Sequence, residues 1–159
     1  GFVFDQRSQP VWFDLSNVIQ GFRYGLEEFS PGNYQLNSDG TVLFNDFGQG
    51  LIFMPSGLGY FSNSQTSIPA YSPLVFQVSL FTLNVTDHDS DGINSIDEDI
   101  DGDGDPMNDD SDGNSIPNLY DNDDDGDGIP TKEEYDQNND GQPDDSDSDS
   151  IPDYLDTEG

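Results

Sequence analysis

The second half of the chain places acidic residues at alternate positions, again and again, and that spacing suits a hard, oxygen-seeking cation. An EF-hand type Ca²⁺ loop takes side-chain oxygens at positions 1, 3 and 5 and turns sharply at a glycine at 6. It uses a backbone carbonyl at 7 and closes on a bidentate acid at 12. Asp87, Asp89, Asp91, Gly92 and Glu98 fill every place, as do Asp123, Asp125, Asp127, Gly128 and Glu134. Asp99, Asp101, Asp103 and Gly104 end on Asp110, and Asp136, Asn138, Asp140 and Gly141 end on Asp147. Asp110, Asp112, Asn114 and Ser115 end on Asp121, and Asp145, Asp147, Asp149 and Ser150 end on Asp156. The chemistry these residues predict is the binding of several Ca²⁺ ions, up to about six.

A disordered acidic tail is the competing reading, because an Asp-rich chain matches parts of any such pattern. The internal repeat separates the two. The loops fall into two sets of three, starting at Asp87, Asp99 and Asp110 and again at Asp123, Asp136 and Asp145, a tandem repeat of about 36 residues. The endings match too: Ser115-Ile116-Pro117-Asn118 against Ser150-Ile151-Pro152-Asp153. The flanking helices of an EF-hand are absent, and prolines and glycines fill the gaps. His88, at the non-ligating second position, is expected to be exposed. Ile93, Ile116, Leu119, Tyr120, Ile129, Tyr135, Ile151, Tyr154 and Leu155 are expected to make small contacts between loops.

Charge divides the chain at the same place. The net charge is −31. Residues 1–86 hold six acids and two bases, whereas residues 87–159 hold 28 acids and only Lys132. A segment of that charge binds neither nucleic acid nor an anionic membrane surface through its charge, and it repels itself unless cations neutralise it. With no cysteine, disulfides and thiolate metal sites are excluded. No apolar run is long enough to span a bilayer, and no signal peptide is visible. The opening Gly1-Phe2-Val3-Phe4 reads more as a cut edge than as a natural start. Two domains are expected: 1–86, and acidic repeats over 87–159 (87–121 and 123–156).

The first half carries all eleven Phe and the single Trp. Val18, Ile19, Phe22, Leu26 and Phe29 form the apolar stripe of a short helix, capped by Ser16 or Asn17 and stopped by Pro31-Gly32. Strands are expected over 2–4, 11–15, 51–54 and 74–83, with a hairpin made by 33–36 and 41–44 around Asp39-Gly40. Alternation in the last strand puts Leu74, Phe76, Val78 and Leu80 on one face and Gln77 and Ser79 on the other. One helix on a mostly antiparallel sheet predicts an α+β domain.

Three ordered stretches resemble the FKBP-type peptidyl-prolyl cis-trans isomerases. They are Asn17-Val18-Ile19-Gln20-Gly21-Phe22, Met54-Pro55-Ser56-Gly57-Leu58-Gly59-Tyr60, and Ile68-Pro69-Ala70-Tyr71-Ser72-Pro73-Leu74-Val75-Phe76-Gln77-Val78-Ser79-Leu80. The resemblance implies the C-terminal part of that fold, an antiparallel sheet wrapped on one helix. It puts Val18, Ile19 and Phe22 on a pocket floor, Tyr60 and Ile68 on its rim, Phe76 in its wall and Asp5 beside it. The implied activity is isomerisation of X-Pro bonds in polypeptide substrates: an apolar pocket favours the twisted amide, and neither nucleophile nor acid–base residue is required. This chain lacks the family's first strands and one pocket tyrosine, and residues 33–49 are an insertion. The acidic loops resemble thrombospondin type 3 repeats, which implies loops wrapped on a string of Ca²⁺ ions with little regular secondary structure.

Together these readings predict an exported prolyl isomerase with a calcium-ordered repeat, placed outside the cytoplasm because such loops need millimolar Ca²⁺. Two alternatives follow from the same residues. One is an inactive FKBP-like binding module on a calcium-stiffened spacer or adhesion stalk. The other is a calcium-buffering surface protein.

Overall fold

A computed structural model describes residues 2–158. The chain divides into two compact units, Gly1–Leu83 and Asn84–Gly159. The first is α+β: helix α1 (Gln20–Leu26), a hairpin of β1 (Asn33–Leu36) and β2 (Val42–Asn45), and a second antiparallel pair of β3 (Gly48–Met54) and β4 (Leu74–Leu80). The second has one helical turn, α2 (Thr131–Glu134), two 3₁₀ turns at Asn118–Tyr120 and Asp153–Leu155, and otherwise loops. Among the described residues no helix is long and apolar enough to cross a membrane.

In the first unit the long pair carries the core. β3 and β4 run in register from Gly48↔Leu80 to Met54↔Leu74. Alternation along β4 turns Leu74, Phe76, Val78 and Leu80 inward and leaves Val75, Gln77 and Ser79 exposed, as its sequence predicts. Phe22, Ile52, Met54, Ile68 and Leu74 form the buried cluster. α1 lies close on β3, and its glycines permit this. A Cβ on Gly21 would sit 2.7 Å from Met54 Cγ, and one on Gly25 would sit 2.6 Å from Ile52 Cγ2.

The sheet is not one layer wrapped on a helix but two separate two-stranded sheets. β1 and β2 pair only with each other, and all but one of their residues are exposed. Residues 2–4 and 11–15 are not strands, because no neighbour pairs with them; Phe2, Val3 and Trp12 are largely exposed. Phe4 and Phe13 instead lay single rings edge-on against Phe76 and Phe22. Ser16 and Asn17 do not cap α1. They sit in a 3₁₀ turn (Leu15–Asn17) capped by Asp14, whose carboxylate accepts the Ser16 N–H, and Ile19 opens α1 with no side-chain cap.

The core of the second unit is polar. Its buried apolar side chains are Ile93, Leu119 and Tyr154. The largest fully buried side chains of the described residues are Leu119, Glu98, Asn118, Thr131 and Asp124, so four of the five carry polar or charged groups. Ile116, Ile129 and Ile151, expected between loops, are largely exposed. His88 is half-buried rather than exposed, with Nδ1 2.7 Å from Ser95 Oγ and its ring edge-on to Tyr120.

Candidate metal centre

All six loops share one backbone. Position 4 is Ser90, Gly102, Gly113, Gly126, Asn139 or Ser148, and position 6 is Gly92, Gly104, Ser115, Gly128, Gly141 or Ser150. Every one has φ between +62° and +110°. Serines and an asparagine thus join glycines in the left-handed region, where a side chain normally costs energy. Position 5 holds the turn, its side-chain oxygen accepting the N–H of position 7 in every loop at 2.6–3.0 Å. In five loops the first aspartate also accepts the N–H of position 6, at 2.8–3.2 Å. The loop that opens at Asp123 differs, and there Asp123 Oδ1 is buried with no partner.

A second clasp closes each loop. The side chain at position 9 accepts the N–H of position 2: Ser95 from His88, Asn118 from Ser111, Thr131 from Asp124 and Asp153 from Ser146. Asp144, at position 9 of the loop from Asp136, accepts from Gln137 in the same way, and in the loop from Asp99 the part passes to Asp109 at position 11, which accepts from Ile100. The same position-9 residues donate their own N–H to the carbonyl just before the loop, at 2.8–3.0 Å. These clasp residues were not among the sequence candidates. Their recurrence at the repeat spacing was the available signal, hidden because Ser, Thr, Asn and Asp interchange as acceptors.

Each acid of the four gathered loops can offer an oxygen to a ligand. Carboxylate oxygens lie within 4.8 Å of one another in Asp87/Asp89/Asp91, Asp99/Asp101/Asp103, Asp123/Asp125/Asp127 and Asp145/Asp147/Asp149. Two oxygens on one Ca²⁺ at about 2.3–2.6 Å stand at most about 5 Å apart, so the fit is good. The other two loops each carry an asparagine among positions 1, 3 and 5, and its amide is engaged within the unit. The Asn114 amide donates to Asp112 and Asp121, and the Asn138 amide donates to Asp144. Asp110 and Asp147 serve as positions 1 and 3 of the next loop, and Asp156 accepts the Glu158 N–H.

The position-12 acids of the two complete loops are buried. Glu98 is 0% exposed and Glu134 7%. A further acid, Asp124, is 2% exposed and lies with Asp91 and Glu98, their oxygens within 4.8 Å of one another. Both oxygens of Glu98 and both of Asp124 lack a hydrogen-bond partner, as do Asp91 Oδ2, Asp89 Oδ2, Asp125 Oδ2 and Glu134 Oε2. Burial, then the charges of Asp89, Asp91, Asp124 and Asp87, push the Glu98 carboxyl up to about 9. Burial, then Asp91 and Asp89, push Asp124 up to about 8. Glu134 rises to about 7 and Asp89 to about 6, burial again the larger cause. An uncompensated buried carboxylate costs several kcal/mol, so such a cluster takes up either protons or a cation.

The candidates of the first unit have a different setting. Phe22 and Ile68 are buried in its core, and Val18, Ile19, Tyr60 and Phe76 pack half-buried against it. The rings of Phe22 and Phe76 stand 5.0 Å apart, edge to face. Asp5 is exposed and pairs with Arg7 at 3.5 Å.

Residues 88–142 match the family model described as BamM C-terminal. No curated protein matches the chain. The matched family differs from both families that the sequence resembles, and it overturns the prolyl isomerase and thrombospondin type 3 readings, the isomerase activity and the inactive FKBP-like alternative with them. The structure supplies a physical reason for the resemblance in the first half. Val-Ile-x-Gly-Phe and the alternating last strand are what a glycine helix packed on a hairpin needs for its core, whatever that core serves.

Proposed function

We propose that the second unit is a calcium-binding module of an extracytoplasmic protein, one related to outer-membrane assembly. The observation that carries the calcium reading is the set of four unpartnered oxygens on Glu98 and Asp124, buried in a unit whose interior is otherwise mostly polar, with three buried apolar side chains. Such an interior supplies little hydrophobic stabilisation. Divalent ions supply what it lacks: they offset the carboxylate repulsion and satisfy the free oxygens. Six bound ions would bring residues 87–159 from −27 to about −15.

The envelope assignment rests on the similarity of residues 88–142 to the BamM C-terminal family, and on the millimolar Ca²⁺ that loops of this kind require. The partner class is then other proteins of an envelope assembly, and large exposed side chains of the first unit such as Trp12 and Phe53 suit such neighbours. Calcium titration of the whole chain with small-angle scattering and EDTA reversal tests the reading. Compaction between micromolar and millimolar Ca²⁺ is expected; an unchanged radius of gyration and no bound Ca²⁺ would sink it.

A further inference from the structure

We propose that Asp91, Glu98 and Asp124 hold one divalent cation between them, and that this ion ties the second acidic repeat to the first. The inference rests on the calcium reading above and adds a ligand that the loop pattern excludes. Asp124 is the second residue of its loop, a place whose side chain points away from that loop's own ion. Here it is 2% exposed, and neither of its oxygens has a partner. Its direction is set by its backbone, whose N–H donates to Thr131 Oγ1 at 3.0 Å, and Thr131 is itself 0% exposed.

The other two members come from the first repeat. Glu98 has both oxygens free, and Asp91 has Oδ2 free while Oδ1 accepts the Ile93 N–H at 2.7 Å. The oxygens of all three side chains fall within 4.8 Å, inside the reach of a single Ca²⁺. Lys132, the single Lys or Arg of the unit, donates to the Ser90 carbonyl and lies near enough to Asp91 to favour its charged form, yet among the described residues no ion pair reaches any of the three. The loop from Asp123 has its own set in Asp123, Asp125 and Asp127, so Asp124 is spare there. The matching position of the first repeat is His88, engaged with Ser95, so the clasp runs from the second repeat to the first alone.

Ca²⁺ stoichiometry by native mass spectrometry and affinities by chelator competition, on the full chain and on Asp124→Asn and Asp127→Asn, test this. Asp124→Asn is expected to lose one ion, or to weaken one site by about tenfold or more. Proteolytic cutting between the repeats is then expected to rise in Ca²⁺. Asp127→Asn should weaken a different site and leave the clasp. Wild-type stoichiometry and affinities in Asp124→Asn would overturn the clasp while leaving the calcium reading standing. A wild-type chain that binds no Ca²⁺ overturns both. Should Asp124→Asn fail to fold, substoichiometric Mn²⁺ on the wild-type chain decides: amide signals around Glu98 and Asp124 must broaden together, and broadening at one alone refutes the shared ion.

Discussion

Glu98 and Asp124 belong to different repeats, yet their carboxylate oxygens come within 4.8 Å of each other, both buried and all four oxygens without a hydrogen-bond partner. Two like charges so placed repel strongly in a low-dielectric setting. The fold of the second unit is therefore conditional on what neutralises them.

Protons are one answer, and the consequence has a definite sign. Glu98, Asp124 and Glu134 have their carboxyls raised to about 9, 8 and 7 in the ion-free fold. A raised acid makes the fold bind more protons than the unfolded chain. Ion-free stability is then full below the ordinary carboxylate range of about 4 and is lost as pH climbs towards about 9. If the cluster takes Ca²⁺ as proposed, binding at pH 7 expels those protons. Calorimetry in two buffers of different ionisation enthalpy should detect proton release at pH 7, fading as pH approaches 9, with affinity rising over the same interval. Equal heats in both buffers at pH 7 would contradict this.

Thr131 ties the loop closure to the site, since its hydroxyl oxygen accepts the Asp124 N–H and its side chain is fully buried. Thr131→Val keeps the shape and removes the acceptor. The variant is expected to lose about 1–3 kcal/mol of stability in saturating Ca²⁺, measured by urea unfolding. Thr131→Ser should retain most of it.

Backbone shape can be tested apart from ligands. Gly128 has φ +98°, and a Cβ added there would have nothing within 4 Å, so Gly128→Ala meets no clash and carries only the conformational penalty. A loss of about 1 kcal/mol or more is expected, seen as a lower midpoint of unfolding in Ca²⁺. Gly57, which also has open space and no positive φ, is the control: Gly57→Ala should not destabilise the first unit.

The first unit has the opposite sensitivity. At Gly25 a Cβ would lie 2.6 Å from Ile52 Cγ2. Gly25→Ala gains helix propensity yet is expected to destabilise the first unit by about 1–3 kcal/mol, because α1 must move off β3. A thermal midpoint unchanged or raised for that unit would show that the helix has room to shift.

The acid spacing determined the loops. Six registers could be written from Asp, Asn, Gly and Ser alone, and all six have the same signs of φ at positions 4 and 6, because an oxygen two residues back captures the next N–H whatever lies further along the chain. The α+β class and the inward face of β4 were equally legible, since alternation and helical stripes are local patterns. The split of the strands into two sheets was not legible, because pairing is decided by partners distant in sequence. Neither was the part played by Asp124. A loop pattern assigns position 2 to solvent, and only the approach of one repeat to another takes water away from that carboxylate and sets it beside Glu98.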